Sequence, residues 1–154
     1  MIDVVVLWLT NEDGELLLAQ RALNKRQDPG VWGPSVTGKV EPGETFDEAL
    51  AREVQEELGL DPTSYDPKLL FEEVFHHPDK EDRRFVIYTA FLEKGKASLI
   101  RYDEIEVASV RWFPVDALLR WMDESPHELV PSAGAVWPQT FTSLAEIADA
   151  KRPG

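Results

Sequence analysis

Three glutamates stand close together in the segment 38–60, GKVEPGETFDEALAREVQEELGL: Glu53, Glu56 and Glu57. If this segment is helical, side chains three and four residues apart are neighbours, with Cβ atoms about 5–6 Å apart. Unpaired carboxylates at this spacing repel one another, and burial adds a desolvation cost. A divalent cation removes that cost, because Mg²⁺ prefers oxygen ligands and commonly takes one or two carboxylates with substrate phosphates and water. The spacing therefore favours a magnesium site, with a solvated acidic helix face as the alternative interpretation.

The helix that must carry these glutamates has clear end signals. Thr45 followed by Glu48 is a capping box, which predicts that the helix begins at the next residue, and Gly59 predicts its end. At about 100° per residue, one apolar stripe should dock on the rest of the protein. Its members are Phe46, Leu50, Val54 and Leu58. Glu57 falls in angle within this stripe and is predicted to be partly buried, whereas Arg52 is predicted to point away without neutralising the carboxylates.

Strands are predicted on both sides of this helix. Two runs, DVVVLWLT and ELLLAQRA, flank an Asp-Gly turn signal at 11–14, and a short strand is predicted at 34–38. After the helix come the β-rich runs KLLFEEVFHH and RFVIYTAFLE and the shorter run ASVRWF. Helices are predicted for VDALLRWMDE and for 134–151, the latter interrupted near Pro138. Hairpins together with a crossover helix predict an α/β fold, a mixed sheet with helices on both faces, as a single domain over 1–154.

The charge balance restricts the classes of partner. The chain has 29 Asp and Glu against 16 Lys and Arg, a net charge of −13. Such a surface disfavours nucleic acid and anionic membranes, but a small phosphorylated substrate is compatible where cations neutralise it. The absence of cysteine excludes disulfides and thiolate sites. No stretch has the length and apolarity of a membrane span, so a cytoplasmic location is expected.

The segment 38–60 resembles the Nudix box at every defined position. The spacing runs Gly38, five residues, Glu44, seven residues, and then REVQEELGL, which begins at Arg52. The resemblance implies a Nudix hydrolase fold, an α/β/α sandwich around a mixed sheet. It also implies Mg²⁺-dependent hydrolysis, with Mn²⁺ as an alternative ion, of a diphosphate linkage in a nucleoside diphosphate derivative or a nucleoside triphosphate. The expected partner is then a small phosphorylated molecule of nucleotide type, and by analogy the chain is a candidate homodimer.

The same resemblance implies roles for individual residues. The metal ligands it implies are Glu53, Glu56, Glu57 and the backbone carbonyl of Gly38, with Glu53 and Glu56 also counted as catalytic. Glu44 would support the box by pairing with Arg52. A carboxylate outside the metal site would accept the proton of the attacking water. Glu104 in RYDEIEVASVRWF is the candidate for this base, with Asp103 and Glu106 as rivals and a plain surface acid as the alternative.

A second resemblance concerns QRALNKRQDPGVWGPSVTGK, which is similar to the corresponding segment of isopentenyl diphosphate isomerases. Arg21 and Lys25 match the basic pair that contacts the diphosphate in that branch of the fold. The isomerase cysteine that moves protons on the alkene falls at Thr37, and the metal-binding histidine falls at Lys39. A threonine hydroxyl is too weak an acid to replace a thiol, and an ammonium group does not ligate a metal. The segment therefore favours an isomerase-like hydrolase, in which Arg21, Lys25 and Lys39 are substrate-binding candidates.

Aromatic and imidazole side chains supply weaker signals. Trp32 lies in the loop before the box and is a candidate for stacking on the substrate, with core packing as the alternative. Trp137 is expected to pack in the core or at an interface. His76 and His77 should point to opposite faces. Surface or rim histidines are the favoured interpretation, because nothing nearby supplies ligand spacing, and one of the two lining a cleft is the alternative. The loop 78–84 and the C-terminal segment are expected to select the substrate.

Two other functions stay open on this sequence. One is a prenyl-diphosphate isomerase, which Thr37 and Lys39 argue against. The other is a nucleotide-binding module without catalysis, which has no need for clustered carboxylates that repel one another. Turnover of a nucleotide panel with Mg²⁺, compared with isomerisation of a prenyl diphosphate, distinguishes the three functions.

Overall fold

The computed structural model describes residues 1–150, in which a seven-stranded mixed sheet forms the centre. The strands are β1 (Ile2–Thr10), β2 (Leu16–Arg21), β3 (Trp32–Gly33), β4 (Val36–Lys39), β5 (Lys68–Phe75), β6 (Arg83–Phe91) and β7 (Val107–Phe113). The helices are α1 (Phe46–Leu58), α2 (Val115–Glu124) and α3 (Ala133–Ala150). Short 3₁₀ turns occupy Pro62–Ser64, Lys94–Leu99 and Pro126–Glu128.

Strand β1 is the organising element of the sheet. It runs parallel to β6 along its whole length, from Ile2 opposite Arg83 onward, and antiparallel to β4, where Val4 lies opposite Lys39. Strand β2 pairs antiparallel with β3 and β7, and β5 pairs antiparallel with β6. Because β4 and β6 flank β1, residues from the segment before α1 and from the β5–β6 hairpin are brought to the same part of the sheet.

The two faces of β1 bury alternate side chains under different helices. Val5, Leu7 and Leu9 pack in one apolar cluster with α1. Val4, Val6 and Trp8 pack in a second cluster with residues of α2 and α3. A strand buried on both sides is typical of the centre of an α/β sheet, and the predicted class, a mixed sheet with helices on both faces, is confirmed.

Some predicted elements differ in their bounds. The strand predicted at 34–38 begins at Val36 and extends to Lys39, and the two residues of β3 pair with β2 in a stretch predicted to be loop. The predicted interruption at Pro138 is wrong, because α3 continues through that residue. Residues 151–154, which include the end predicted for this helix and the end of the predicted single domain, lie outside the described residues. Within 1–150 no helix combines the length and the apolarity that a membrane crossing requires.

Candidate active site

Local sequence signals place helix α1 and its glutamates. The Thr45 side chain accepts a hydrogen bond from the Glu48 backbone N–H at 3.1 Å, and the Glu48 carboxylate accepts one from the Thr45 N–H at 3.1 Å. This is the predicted capping box, and it satisfies N–H groups that the first turn leaves without helical partners. Gly59 ends the helix with φ of 64°, a left-handed conformation that favours glycine. The predicted start and end of the helix are therefore confirmed.

Helix α1 packs against strand β4 at Gly38, the glycine of that strand. A Cβ atom placed on Gly38 would lie 2.0 Å from Cδ and 2.4 Å from Oε2 of Glu53. The Glu53 side chain is only 14% exposed, because it lies against this stretch of backbone. Gly38 is opposite Val5 in the β1–β4 register and so belongs to the α1 face of the sheet. The absence of a side chain at 38 is what brings the helix carboxylate to the strand.

Arg52 does not point away from the carboxylates, so that prediction is wrong. Its guanidinium donates to both Glu44 oxygens at 2.7 and 2.9 Å, to Glu53 at 2.7 Å and to Glu56 at 3.3 Å. It also donates to the Lys39 carbonyl oxygen at 3.0 Å. A long side chain with five N–H donors reaches back over the helix surface, which the helical angle of its Cα does not reveal. The predicted Arg52–Glu44 pair is confirmed, and the Arg52 hydrogen bonds hold the pKa of Glu44 at about 2.

Glu57 has the least favourable surroundings of the three glutamates. It is partly buried, as predicted, and accepts one hydrogen bond from the Thr37 backbone N–H at 3.3 Å. Burial, and secondarily the nearby Glu53 carboxylate, raise the pKa of Glu57 well above its usual range. Burial also raises the pKa of Glu53, against the opposing effect of Arg52. The protein therefore brings more carboxylates to this point than its own cations neutralise.

These donors fit a hard divalent cation by their chemistry. They are carboxylate oxygens on one helix face beside the Gly38 backbone, and an added positive charge would offset the repulsion and the desolvation cost. Within residues 1–150, no three His, Cys, Asp or Glu side chains stand in a ready-made ligand arrangement. Arg52 bonds to Glu53 and Glu56, and Glu57 accepts from Thr37. Each of these hydrogen bonds uses one carboxylate oxygen, so among the described residues the second oxygen of each glutamate accepts none.

A cavity of about 300 Å³ opens on the opposite face of the sheet. Its deep wall consists of buried apolar and aromatic side chains: Val4, Val6, Trp8, Phe85, Val136 and Trp137. Trp137 packs edge-on against Trp8 with ring centroids 5.1 Å apart, so the wall offers a large apolar surface. The predicted core position of Trp137 is confirmed, and the same side chain also lines the cavity.

Four cationic side chains lie around this wall: Arg21, Lys39, Lys80 and Arg83. Of the predicted substrate-binding residues, Arg21 and Lys39 line the cavity, and Arg21 Nε donates to the Gln27 carbonyl oxygen at 2.6 Å. Lys25 instead forms an ion pair with Glu106 at 2.7 Å. His76 is exposed and pairs with Asp82 at 2.8 Å, as expected of a surface histidine, whereas His77 lines the cavity, which was the less favoured alternative.

A smaller groove connects the cavity with helix α1. Glu57 and Glu106 line this groove, and Arg21 and Thr37 line both the groove and the cavity. Because the two carboxylates line the same groove, Glu106 adds to the charge repulsion that raises the pKa of Glu57, after the larger effects of burial and of Glu53. Glu104, the predicted base, is exposed in the same segment. The described geometry gives more support to Glu106, its rival, as the carboxylate that reaches the groove.

The structure favours core packing, one of the two interpretations given for Trp32, over stacking on the substrate. Its ring packs edge-on against Phe113 at 5.7 Å and tilted against Trp121 at 5.9 Å. The ring thus belongs to the apolar cluster under α2, because β3 pairs with β2 beside β7. The sequence pattern of the loop before Gly38 gave no indication that β3 pairs with β2.

The sequence did not single out Lys80 and Arg83. Their segment, PDKEDRR, has the composition of a solvated loop, and only its predicted role in substrate selection pointed toward it. Parallel pairing of β6 with β1 brings Arg83 opposite Ile2 and so to the end of the cavity wall. This placement depends on strand order, for which the segment itself carries no signal.

The chain is similar to known proteins in both sequence and structure. The model of the NUDIX domain family matches residues 1–133. An isopentenyl-diphosphate Delta-isomerase from Salmonella arizonae is 31% identical over 127 residues, which cover 80% of this chain and 68% of that protein. The MutT protein from Methanosarcina mazei Go1 has a similar fold, with a TM-score of 0.68 and 21% identity over 98% of this chain and 96% of that one. The Caenorhabditis elegans Ap4A hydrolase has a TM-score of 0.67 and 18% identity over 95% of this chain and 99% of that one.

Proposed function

The chain belongs to the Nudix family of hydrolases, and we propose that it hydrolyses the diphosphate linkage of a nucleotide-type substrate with the help of Mg²⁺. One observation carries this proposal: Glu53 packs against Gly38 of β4 and Glu57 accepts from the Thr37 N–H, while Gly38 and Thr37 also line the cavity with its cations. Carboxylates for a metal and cations for phosphate oxygens are the two groups of side chains that phosphoanhydride hydrolysis requires.

The residues that would hold the ion are Glu53, Glu56, Glu57 and the Gly38 carbonyl, and Mn²⁺ has the same ligand preference. A bound divalent ion supplies positive charge at the phosphate oxygens and lowers the pKa of a coordinated water. Arg52 and Glu44 would position this set, since Arg52 contacts both Glu44 and two of the three glutamates.

The remaining side chains act on the substrate. Arg21, which lines both the cavity and the groove, and Lys39, which lines the cavity, would bind diphosphate oxygens. The apolar wall would bind the organic part and exclude water from it. A carboxylate in the loop that precedes β7 would accept the proton of the attacking water. We propose Glu106 for this step, held in place by Lys25, and keep Glu104 as the alternative.

A prenyl-diphosphate isomerase is the second candidate, because the isomerases are 31% identical in sequence over most of this chain. The position of Lys39 in the structure argues against isomerase activity, as its identity in the sequence does. Its partner in the β-ladder is Val4, and its side chain lines the cavity among other cations, where an ammonium group serves phosphate binding. Thr37 lines the same cavity with a hydroxyl in the place of the isomerase thiol. A nucleotide-binding module without catalysis is the third candidate.

The test is a turnover assay on nucleoside triphosphates, nucleoside diphosphate derivatives and a prenyl diphosphate, with Mg²⁺, with Mn²⁺ and with EDTA. We expect phosphate or pyrophosphate release from at least one nucleotide, lost with EDTA. Glu56→Gln should reduce turnover by about a hundredfold or more. The matched control is Glu146→Gln, an exposed glutamate on α3, which should leave turnover unchanged. Isomerisation of the prenyl diphosphate without hydrolysis would reverse the ranking of the candidates.

Assembly is a separate part of the proposal. The homodimer expected by analogy would be tested by sedimentation equilibrium, with a single monomer mass at micromolar concentration as the result against it.

A further inference from the structure

The distribution of basic residues in this acidic chain is uneven. The chain has 16 Lys and Arg against 29 Asp and Glu. Four of the basic residues line the cavity, whereas Asp28 is the acidic residue among its lining side chains. A cleft with a local positive charge in a protein of net charge −13 attracts and retains anions against the general field.

The cations of the cavity are largely without internal partners. Within residues 1–150, Lys39, Lys80 and Arg83 form no ion pair, although other basic side chains such as Arg52 and Arg84 do. Arg83 Nε is buried and has no hydrogen-bond partner in the described part of the chain. An unsatisfied buried donor is unfavourable for the folded state. Since Arg83 also lines the cavity, an anionic ligand bound there would give its guanidinium the partner that the protein does not supply.

The strand register separates these cations into two groups. Lys39 lies opposite Val4 on one side of β1, and Arg83 lies opposite Ile2 on the other side. Since β4 and β6 flank β1, the two Cα atoms are separated sideways by two inter-strand spacings, about 10 Å. The apolar side chains of Val4 and Phe85 lie on the wall between them. Arg21 lines both the cavity and the groove with Glu57, and Lys39 lies on β4 next to Gly38. Arg83 and Lys80 line the cavity alone, on the β6 side of β1.

We propose that Arg83 and Lys80 form a second anion-binding subsite, so that the preferred substrate carries a further phosphate on its organic part, beyond the diphosphate that is cleaved. This inference rests on the proposed function for the position of the diphosphate. The organic part lies along the Trp8 and Trp137 wall and connects the two anionic ends. A guanidinium binds phosphate oxygens in a two-pronged manner, which gives this subsite geometric specificity as well as affinity.

The experiment is isothermal titration calorimetry without divalent cations, in EDTA. The ligands are nucleoside 5′-diphosphates and their 2′- and 3′-phosphorylated derivatives, each with adenine, guanine, cytosine and uracil. For at least one base, we expect the wild-type protein to bind a phosphorylated derivative about tenfold or more tightly than the plain diphosphate. Arg83→Gln should abolish this preference and leave the affinity for the plain diphosphate within about twofold. Arg83→Lys, which keeps the charge, should retain part of it.

The control variant is Arg120→Gln on α2, whose exposed side chain lies near Asp116 and which should keep the full preference. Equal wild-type affinity for plain and phosphorylated ligands, or no binding of any ligand, overturns the proposal. An equal loss for both ligands in Arg83→Gln also overturns it, because Arg83 would then contact a group that the ligands share. Circular dichroism melting of each variant checks that it is folded.

A turnover assay of the same ligands with Mg²⁺ separates this inference from the proposed function. Hydrolysis of diphosphates without any binding preference means that the second subsite is wrong and the hydrolase proposal stands. If the binding preference depends on Arg83 but no ligand is hydrolysed, the second subsite stands and the hydrolase proposal is wrong.

Discussion

Substitution of Gly38 by alanine tests the contact that brings α1 to the sheet. The added Cβ would lie 2.0 Å from Cδ, 2.3 Å from Cγ and 2.4 Å from Oε2 of Glu53. Because carbon atoms pack at about 3.5–4.0 Å, the Glu53 carboxylate must move by roughly 1.5–2 Å. The movement also breaks or lengthens its 2.7 Å ion pair with Arg52.

We expect the substitution to lower the free energy of unfolding by about 1–3 kcal/mol, the usual cost of overpacking a well-filled site. All three nearest atoms belong to the Glu53 side chain, so the cost should depend on that side chain. In a Glu53→Ala background, Gly38→Ala should cost close to nothing, since the space is then empty. The double-mutant cycle should therefore give a coupling energy of about 1–3 kcal/mol.

The assay is urea unfolding at 25 °C, followed by far-ultraviolet circular dichroism and tryptophan fluorescence, for the wild type, both single variants and the double variant. Gly95→Ala is the matched control, because nothing lies within 4 Å of a Cβ added there, and its effect should be the same in both backgrounds. If Gly38→Ala costs the same with and without the Glu53 side chain, the close approach of helix and strand described above is incorrect.

Two further predictions concern stability. Trp32→Ala should lower the free energy of unfolding by about 2–4 kcal/mol, because it leaves a cavity beside Phe113 and Trp121, and Trp32→Phe should lower it less. A change in KM without a loss of stability would contradict the packing role. The pKa of Glu44 is about 2 in the folded protein, below its ordinary value of 4.5, so its contact with Arg52 stabilises the fold above pH 4.5 and is lost as the pH falls toward 2. The free energy of unfolding should therefore fall less steeply between pH 4.5 and 2 for Glu44→Gln than for the wild type. An equal fall in the two proteins would refute this assignment.

Helix α1 shows how far local signals reach. Thr45, Glu48 and Gly59 predicted its ends, since caps are contacts between residues within one turn. The partial burial of Glu57 followed from helical periodicity in the same way. The direction of the Arg52 side chain did not, because its partners at Glu44 and at the Lys39 carbonyl lie on a loop and a strand that the helical angle does not describe.

The cavity shows where local signals end. Arg21 and Lys39 were predicted from a motif, whereas Lys80 and Arg83 come from a hairpin whose position depends on the pairing of β6 with β1. Trp32 stood in a motif-like position but packs against α2, because β3 pairs with β2 beside β7. In each case the deciding contact joins segments that are far apart in the sequence.

The sequence by itself therefore determined the carboxylate face of α1 and the family to which the chain belongs, since both depend on spacing within 23 neighbouring residues, 38–60. Only the tertiary structure decided which cations converge opposite that face and which tryptophans line the cavity. Strand order and register depend on burial summed over the whole sheet, and a shift of one residue would move every side chain of a strand to the other face.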